Sequence, residues 1–352
     1  MFDLKKIIRK NIDRMLPYSS ARDEYKGQEG VFLDANENPY NAPFNRYPDP
    51  LQTAIKEKLG KIKHIEPDQI FLGNGSDEAI DLLMRAFCEP GNDSVVSISP
   101  SYGMYQVAAD TNDVNFIKVP LNSDFSLNVR ALKNAISETV KIVIICSPNN
   151  PTSNCFYSED ILDIAKGFDG LLVVDEAYID FAPHKSLISE LLDYPNLVIL
   201  QTFSKAWGLA GIRLGVAYAS KEIISVLNKI KYPYNVNVLT QNIALKALDK
   251  LHEKENWVKN ILFQKSIMVE KLKAFDIVDH IYPSDANFLL VKFKFNNELF
   301  KYLIDNQIVT RDRSKVSLCE GCIRITIGNE SENRILIEAI SDFESDIDLN
   351  KN

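Results

Sequence analysis

Lys205 follows an apolar run and has hydroxyl side chains and an arginine close to it in the sequence, a combination that suits amine chemistry. Residues 197–202 read L-V-I-L-Q-T, short and apolar enough for a buried parallel strand. A lysine just past such a strand is poorly solvated, so its pKa falls and its amine becomes a usable nucleophile. Thr202, Ser204 and Arg213 suggest a phosphate nearby. The stretch predicts a Schiff-base lysine with an anchored phosphorylated aldehyde, although Ser-Lys after a strand also occurs in ordinary loops.

Three more polar segments follow strand-like runs upstream of this lysine. Residues 73–78, G-N-G-S-D-E, place backbone N–H groups and Ser76 at a helix start, which fits an anion site or simply a capped helix. Residues 147–152, S-P-N-N-P-T, form a rigid turn that can aim an amide into a site, or only a well-made turn. Asp175 ends an apolar run and needs a cation or good donors there. Alone it equally fits a metal ligand, a helix cap or an ion-pair partner.

The four segments together, in this order, match the needs of pyridoxal phosphate. An acidic group keeps the pyridine nitrogen protonated, a lysine binds the aldehyde, and other groups hold the phenolic oxygen and the phosphate. The chain resembles the fold-type I aminotransferases, and within them the histidinol-phosphate aminotransferase family, over essentially its whole length. The motifs that carry the resemblance are PYSSAR, LDANENP, NRYPDP, GNGSDEAID, PSYGMY, CSPNNPT, DEAYIDF, TFSKAWGLAGIRLG, PYNVN, VTRDRS and CIRITIG.

The resemblance implies a role for each matching cofactor residue. Lys205 is the Schiff-base lysine and the base that moves the substrate's proton, and Asp175 pairs with the pyridinium nitrogen. Asn150 and Tyr178 hydrogen-bond the phenolic oxygen, and Tyr102 stacks on the ring, with a core aromatic as the alternative for Tyr102. The residues implied to hold the phosphate are Gly75, Ser76, Thr202, Ser204 and Arg213.

Substrate recognition and assembly are implied by other matching positions. Arg324 matches the arginine that binds the substrate carboxylate in this fold type, and Arg311 and Tyr18 match positions that surround the substrate phosphate with it. Two convergent arginines suit a phosphate dianion. Arg313 is expected to be a surface charge or to act from behind these groups. Tyr47 matches a tyrosine that reaches the cofactor phosphate of the neighbouring subunit, so a homodimer with shared active sites is implied.

The implied activity is ping-pong transamination in histidine biosynthesis. Glutamate gives its amino group and leaves as 2-oxoglutarate, and imidazole acetol phosphate accepts the group to become L-histidinol phosphate. One alternative is a related enzyme for another small phosphorylated or aromatic amine, either a transaminase or a decarboxylase of phosphorylated amino acids. The alternative from another class is a non-catalytic regulator of the same fold, and the complete set of Lys205, Asp175 and Arg324 counts against it.

Two positions depart from the family pattern. Ser153 replaces the usual glycine after N-P-T, and if this position needs a positive φ the backbone strain costs about 1 kcal/mol. We expect a small local rearrangement and no loss of chemistry. Trp207 stands where a smaller aromatic is common and is expected to change only the packing behind the lysine.

Composition favours a globular enzyme with no nucleic-acid or membrane partner. Apolar residues make up 45% of the 352 and charged residues 25%, which is ordinary for a soluble protein. The net charge is −8, and no basic stripe stands out along the sequence, which argues against a nucleic-acid or acidic-membrane partner. No apolar run approaches the roughly 20 residues that cross a bilayer. Residues 1–14 alternate charged and apolar residues like an amphipathic helix and unlike a signal peptide, so a cytoplasmic location is expected.

The five cysteines are expected to be reduced structural thiols. Cys88, Cys146 and Cys155 are scattered, and Cys319 and Cys322 form a lone C-x-x-C. A zinc site there would need a second ligand pair, and none of the four histidines has the right spacing. The sequence therefore predicts no metal site.

Alternating strands and helices must carry these residues. Between residues 51 and 219 apolar strands alternate with helices, which predicts an α/β fold with a mainly parallel sheet and helices on both faces. Residues 239–275 predict two helices. Beyond them a smaller α+β lobe is expected, with strands at 287–293, 308–310 and 322–327. The expected division is an N-terminal helix and arm packing with the small lobe (1–45), a large cofactor-binding domain (46–237) and a small domain (238–352).

Overall fold

Two β-sheets organise the chain in a computed structural model, which describes residues 2–18 and 30–349. The strands of the larger sheet are β1 (Ile70–Asn74), β2 (Ser94–Ser99), β3 (Asn115–Pro120), β4 (Val140–Cys146), β5 (Leu171–Asp175), β6 (Leu197–Thr202) and β7 (Leu214–Ala219). They lie in the order β1-β7-β6-β5-β4-β2-β3. Strand β7 is antiparallel to both of its neighbours, β1 and β6, whereas β2 through β6 pair in parallel. The predicted mainly parallel sheet is confirmed.

Helices cover both faces of this sheet and one side of the smaller one. The α-helices are α1 (Leu4–Ile7), α2 (Lys10–Arg14), α3 (Thr53–Lys63), α4 (Gly75–Phe87), α5 (Met104–Thr111), α6 (Val129–Ala135), α7 (Ser158–Lys166), α8 (Lys221–Ile230), α9 (Val238–Leu248), α10 (Leu251–Leu272), α11 (Asn296–Asp305) and α12 (Glu330–Leu349). The two helices predicted within 239–275 are confirmed as α9 and α10. Within residues 2–18 and 30–349, none of the helices combines the length and the apolar character that crossing a membrane requires.

Alternate residues of the central strands pack on opposite faces of the large sheet. In β5, Leu171 and Val173 belong to one hydrophobic cluster, whereas Leu172 and Val174 belong to the other. All four are almost completely buried. Because helices cover both faces, these strands read as continuous apolar runs instead of alternating ones. The polar residues that follow such a run are therefore held at the edge of a rigid sheet.

The smaller sheet is antiparallel, with strands β8 (Val278–Ile281), β9 (Phe288–Phe293), β10 (Arg311–Asp312) and β11 (Cys322–Thr326) in the order β10-β11-β9-β8. The strand predicted at 308–310 is wrong, because pairing begins only at Arg311. Ile308 contributes its side chain to the hydrophobic cluster of this lobe without joining the ladder. Strand β8 was not predicted, since it is an edge strand with the exposed residues Asp279 and His280 in its centre.

The N-terminal segment packs on the large lobe. Ile7 and Ile12 join the hydrophobic cluster beneath the large sheet, and the Arg9 N–H donates to the Ala86 carbonyl at 2.9 Å. The expected packing against the small lobe is therefore wrong for residues 2–14, because their apolar side chains complete the surface of α4 and α8. Four residues of the PYSSAR motif lie outside the described residues. The division into residues 1–45, 46–237 and 238–352 stays a prediction.

Candidate active site

The carboxyl ends of β4, β5 and β6, together with the start of α4, surround a cavity of about 140 Å³. Parallel strands bring the residues that follow them to one edge of the sheet, which is where open α/β sheets bind ligands. The predicted cofactor residues that line the cavity are Gly75, Ser76, Tyr102, Asn150, Asp175, Tyr178, Thr202, Ser204, Lys205 and Arg213. The fold thus assembles them from segments that are far apart in the chain.

Lys205 lies just past β6 with its amine held among other site residues. Its Nζ lies 5.6 Å from the centre of the Tyr178 ring. Burial lowers the pKa of Lys205, and the nearby charge of Arg324 lowers it further, while Asp175 opposes both. More of the amine is therefore unprotonated near neutral pH than in a free lysine, as a nucleophile or a base requires.

Asp175 ends β5 and is almost fully buried. Its carboxylate accepts hydrogen bonds from the Tyr105 hydroxyl at 2.7 Å and from the Ala177 N–H at 3.1 Å. Burial raises the pKa of Asp175, and these two donors act against that rise. A buried carboxylate that faces a cavity is stabilised by a cationic group in that cavity.

Tyr105 belongs to this site although no sequence motif predicts a role for it. It is completely buried and packs edge-on against Tyr102, with ring centres 5.4 Å apart. The available signal was its position three residues after Tyr102, because such residues share one side of a helix. Its hydroxyl donates to Asp175, which lies 70 residues further along the chain, and the spacing of residues in the sequence does not reveal such a contact.

The start of α4 forms a tight cradle with Arg213. Gly75 has φ of +72°, and its N–H donates to the Arg213 carbonyl at 2.7 Å. A Cβ at Gly75 would lie 2.7 Å from Nη2 of Arg213, so only glycine fits here without a shift of that side chain. Backbone N–H groups at the helix start and a guanidinium beside them suit an anion.

The hydroxyls around this cradle have different partners. Thr202 Oγ1 accepts from the Ser204 N–H at 3.1 Å and donates to the Leu214 carbonyl at 3.4 Å. Ser204 Oγ instead accepts from Arg213 at 3.5 Å, beside the cradle. Asp77 was not predicted as a site residue, yet it lines the cavity and lies 3.3 Å from Arg213. The Asp77 carboxylate pairs with the Arg213 guanidinium, and a bound phosphate would share that guanidinium with Asp77.

Arg324 connects the small lobe to the cavity. From β11 its Nη1 donates to Asn150 Oδ1 at 2.6 Å, and Asn150 Nδ2 donates to the Tyr178 hydroxyl at 3.4 Å. The Arg324 guanidinium also lies 5.4 Å from the centre of the Phe288 ring. Burial lowers the pKa of Arg324 and raises that of Tyr178. The amide of Asn150 is thus fixed from both sides.

Three arginines lie near one another at the β10 edge of the small sheet. Arg311 on β10 lies directly opposite Arg324 on β11, and Arg313 follows just after β10, where its N–H donates to the Cys322 carbonyl at 2.9 Å. Burial lowers the pKa of Arg313, and so do the charges of Arg324 and Arg311. Its Nε is buried without a hydrogen-bond partner among the described residues. Arg313 is half-buried beside Arg311 and Arg324, and these three residues are called the arginine cluster below.

Besides Arg311 and Arg324, two predicted residues, Tyr18 and Tyr47, do not line the cavity. Tyr18 has an exposed fraction of 71%, and Tyr47 one of 50%. The Tyr47 ring stacks on Tyr234, with centres 4.4 Å apart. Neither tyrosine is among the residues that line the cavity within one chain. Their predicted roles stay predictions.

Ser153 has the positive φ that the missing glycine suggests, +67°. Its hydroxyl donates to the carbonyls of Thr152 at 2.6 Å and Pro283 at 3.2 Å, and its own carbonyl accepts from the Asp285 N–H at 2.8 Å. The serine therefore connects the turn of the large lobe to the segment between β8 and β9. The contact between the lobes is a finding at this position, and the expected small rearrangement stays a prediction.

Comparison with known proteins agrees with this site. Residues 29–340 match the family described as aminotransferase class I and II. A relative from Cytophaga hutchinsonii, named histidinol-phosphate aminotransferase, is 52% identical over 346 residues, which cover 97% of this chain and 99% of that relative. The crystal structure of the histidinol-phosphate aminotransferase from Clostridium acetobutylicum has a TM-score of 0.79 at 24% identity, covering 86% of this chain and 92% of that one.

A second solved structure comes from Sinorhizobium meliloti. It is a histidinol-phosphate aminotransferase in complex with pyridoxal-5'-phosphate, with a TM-score of 0.77 at 23% identity, covering 86% of this chain and 84% of that one. Both solved structures are less than 25% identical to this chain and therefore establish its fold alone.

Proposed function

The chain belongs to the class I and II aminotransferase family, and on this basis we propose that it is a histidinol-phosphate aminotransferase. As a member of this family it is an enzyme that uses pyridoxal 5'-phosphate. The proposed reaction exchanges an amino group between glutamate and imidazole acetol phosphate, giving 2-oxoglutarate and L-histidinol phosphate. The observation that carries the substrate assignment is the hydrogen bond from Arg324 to Asn150, because it joins the arginine cluster to the cavity of Lys205.

The residues of the cavity fit the cofactor. Asp175 is buried and directed into it, where a protonated ring nitrogen would satisfy the carboxylate. Asn150 and Tyr178 would hold the phenolic oxygen. Gly75 and Arg213, with Ser76 and Ser204, would hold the phosphate. When bound, pyridoxal 5'-phosphate supplies the electron sink through which an amino group leaves one carbon skeleton and enters another.

The chain's own groups position the substrate and move its proton. Lys205 is the base that takes the proton from the substrate's Cα, and its lowered pKa leaves the amine free to do so. Arg324 is proposed to bind the carboxylate of glutamate. The arginine cluster is proposed to bind the phosphate of the second substrate, because a dianion relieves the mutual repulsion of the three guanidinium groups.

A homodimer with shared sites is part of this proposal. Exposed apolar side chains are concentrated on the arm that carries Tyr47, among them Val31 at 88% exposure, Leu33 at 87% and Tyr40 at 77%. A surface this apolar is typical of a protein interface. A second copy that covers the arm would bring Tyr47 to the cofactor phosphate of its neighbour. A cytoplasmic location is proposed from the biosynthetic reaction alone.

A half-reaction screen tests the function. The cofactor-loaded enzyme is mixed separately with glutamate, histidinol phosphate, phenylalanine and phosphoserine, and the change in cofactor absorbance is followed. Rapid conversion by glutamate and histidinol phosphate, with release of 2-oxoglutarate from glutamate, supports the proposal. Release of CO₂ from phosphoserine, with no reaction of histidinol phosphate, would instead identify a decarboxylase. Absence of any half-reaction would identify a non-catalytic protein.

A further inference from the structure

A second group of reactive side chains lies apart from the cavity of Lys205. The ligand atoms of Cys155, His184 and Asp285 lie within 4.8 Å of one another. Cys155 and His184 line a separate cavity of about 260 Å³. None of the three residues lines the cofactor cavity, so the proposed function leaves them without a role.

Hydrogen bonds already position two of these residues. The Cys155 N–H donates to Asp285 Oδ2 at 2.8 Å, and the Asp285 N–H donates to the Ser153 carbonyl at 2.8 Å. These bonds hold Asp285, which lies in the segment between β8 and β9, against the turn that follows β4. A carboxylate with one oxygen fixed in this way keeps its other oxygen for a metal.

His184 completes the group from an exposed loop. The loop is anchored two residues later, where the Ser186 hydroxyl and the Leu187 N–H donate to the buried carboxylate of Glu176. Its exposure leaves an entry path from solvent and freedom for the imidazole to turn.

We propose that Cys155, His184 and Asp285 bind one zinc ion and thereby join the two lobes. Thiolate, imidazole and carboxylate are the three ligand types that zinc accepts, and the soft sulfur excludes magnesium and calcium. Zinc bonds of about 2.0 to 2.3 Å place tetrahedral ligands about 3.5 Å apart. The three atoms therefore need to approach by about 1.3 Å at most, and the exposed His184 side chain is free to move toward the other two. Water would fill the fourth position.

Zinc binding must displace a proton from the Cys155 thiol. Burial and the Asp285 carboxylate raise the pKa of this thiol to about 12, so the apparent zinc affinity should increase with pH.

Titration of the cofactor-loaded enzyme with zinc, after treatment with a chelator, tests this site. We expect one zinc per chain with a Kd on the order of 1 µM or tighter. Cys155→Ser, His184→Gln and Asp285→Asn should each weaken binding about 100-fold or more, because even changes outside the first ligands cost about 10- to 100-fold. His252→Gln, at an exposed histidine on α10, is the matched control and should bind like the wild type.

Cobalt gives a second readout that is independent of activity. Cobalt in place of zinc should show thiolate charge-transfer absorbance in a difference spectrum against the metal-free enzyme, and Cys155→Ser should lack it. Zinc should also raise the unfolding midpoint of the wild type and leave that of His184→Gln unchanged. Equal zinc affinity in the wild type and His184→Gln, or no binding by the wild type at 100 µM, would overturn the proposal. His184 is on an exposed loop, so this comparison stands even where another variant fails to fold.

Discussion

The Tyr105 hydroxyl donates a 2.7 Å hydrogen bond to Oδ2 of Asp175, and both side chains are buried. Helix α5 thus fixes the carboxylate at the end of β5 through a side chain that does not line the cavity. The bond stabilises the ionised form, which burial alone disfavours. The charge proposed to pair with the cofactor's ring nitrogen therefore depends on a residue that contacts no ligand, and Tyr105 is a positioning residue.

Tyr105→Phe should raise the pKa of Asp175. Loss of a hydrogen bond to a charged group costs about 1.5 to 3 kcal/mol, and here the bond stabilises the ionised carboxylate. Because the carboxylate protonates below its pKa, the acidic limb of the activity profile should move to higher pH. Cofactor retention at low pH should fall with it. Measuring kcat and cofactor content against pH checks this, with the buried Tyr218→Phe as control. An unchanged acidic limb would show that Tyr105 only fills space.

Arg313→Gln should selectively weaken the binding of phosphorylated substrates. The three guanidinium groups of the arginine cluster lie near enough for their charges to act on one another, and a charge-assisted bond to a dianion contributes about 1.5 to 3 kcal/mol. We expect kcat/KM for histidinol phosphate to fall about 10- to 100-fold, and the glutamate half-reaction to change less than about 3-fold. Arg311→Gln should behave in the same way.

The control for the arginine cluster is Arg334→Gln, which removes an arginine whose side chain is 62% exposed on α12. It should leave both half-reactions unchanged. If Arg313→Gln slowed glutamate and histidinol phosphate equally, Arg313 would be supporting the position of Arg324 and not binding phosphate.

Ser153→Ala and Ser153→Gly should differ in stability although both remove the same hydroxyl. Alanine keeps the cost of the φ of +67° and loses the bond to Pro283, so it should lower the free energy of unfolding by about 1 kcal/mol. Glycine also loses the bond but relieves the backbone strain, which is of similar size. Its net change should be below about 0.5 kcal/mol. Equilibrium denaturation of the cofactor-loaded variants measures the difference. Equal losses would show that the strained backbone costs little here.

Much of the site follows from sequence because strand ends place it. Apolar runs that end in Asp175, or just before Asn150 and Lys205, must bring those residues to one edge once the strands pair in parallel. The direction in which a side chain points cannot be predicted in this way. The contact of Tyr105 with Asp175 and the burial of Arg313 depend on packing between elements that no local pattern encodes.

The errors have a similar cause. The apolar residues 308–310 resemble a strand, but burial in the lobe's core satisfies Ile308 without pairing. The N-terminal helices carry an apolar stripe. Such a stripe predicts that one side of each helix is buried, but it does not indicate which surface the helix packs against. The group of Cys155, His184 and Asp285 was missed because its members come from three distant segments.

Mixing two inactive variants should restore activity if Tyr47 acts on the neighbouring subunit. Lys205→Ala removes the reactive amine. Tyr47→Asp places a negative charge where the resemblance predicts a cofactor phosphate, and it should release the cofactor. In a mixed dimer one site combines both defects, while the other combines an intact Lys205 with an intact Tyr47 from its partner.

Random exchange makes half of the dimers mixed, so recovered activity should approach about one quarter of the wild-type value. Each variant alone should stay inactive, and Lys205→Ala should lack the visible absorbance of the covalently bound cofactor. The stacking of Tyr47 on Tyr234 within one chain fits this arrangement, since it holds the ring on the exposed arm and away from its own cavity. Subunit exchange, verified by mass-tagged chains, followed by no recovery would place Tyr47 and Lys205 in the same subunit's site and reject the shared-site dimer.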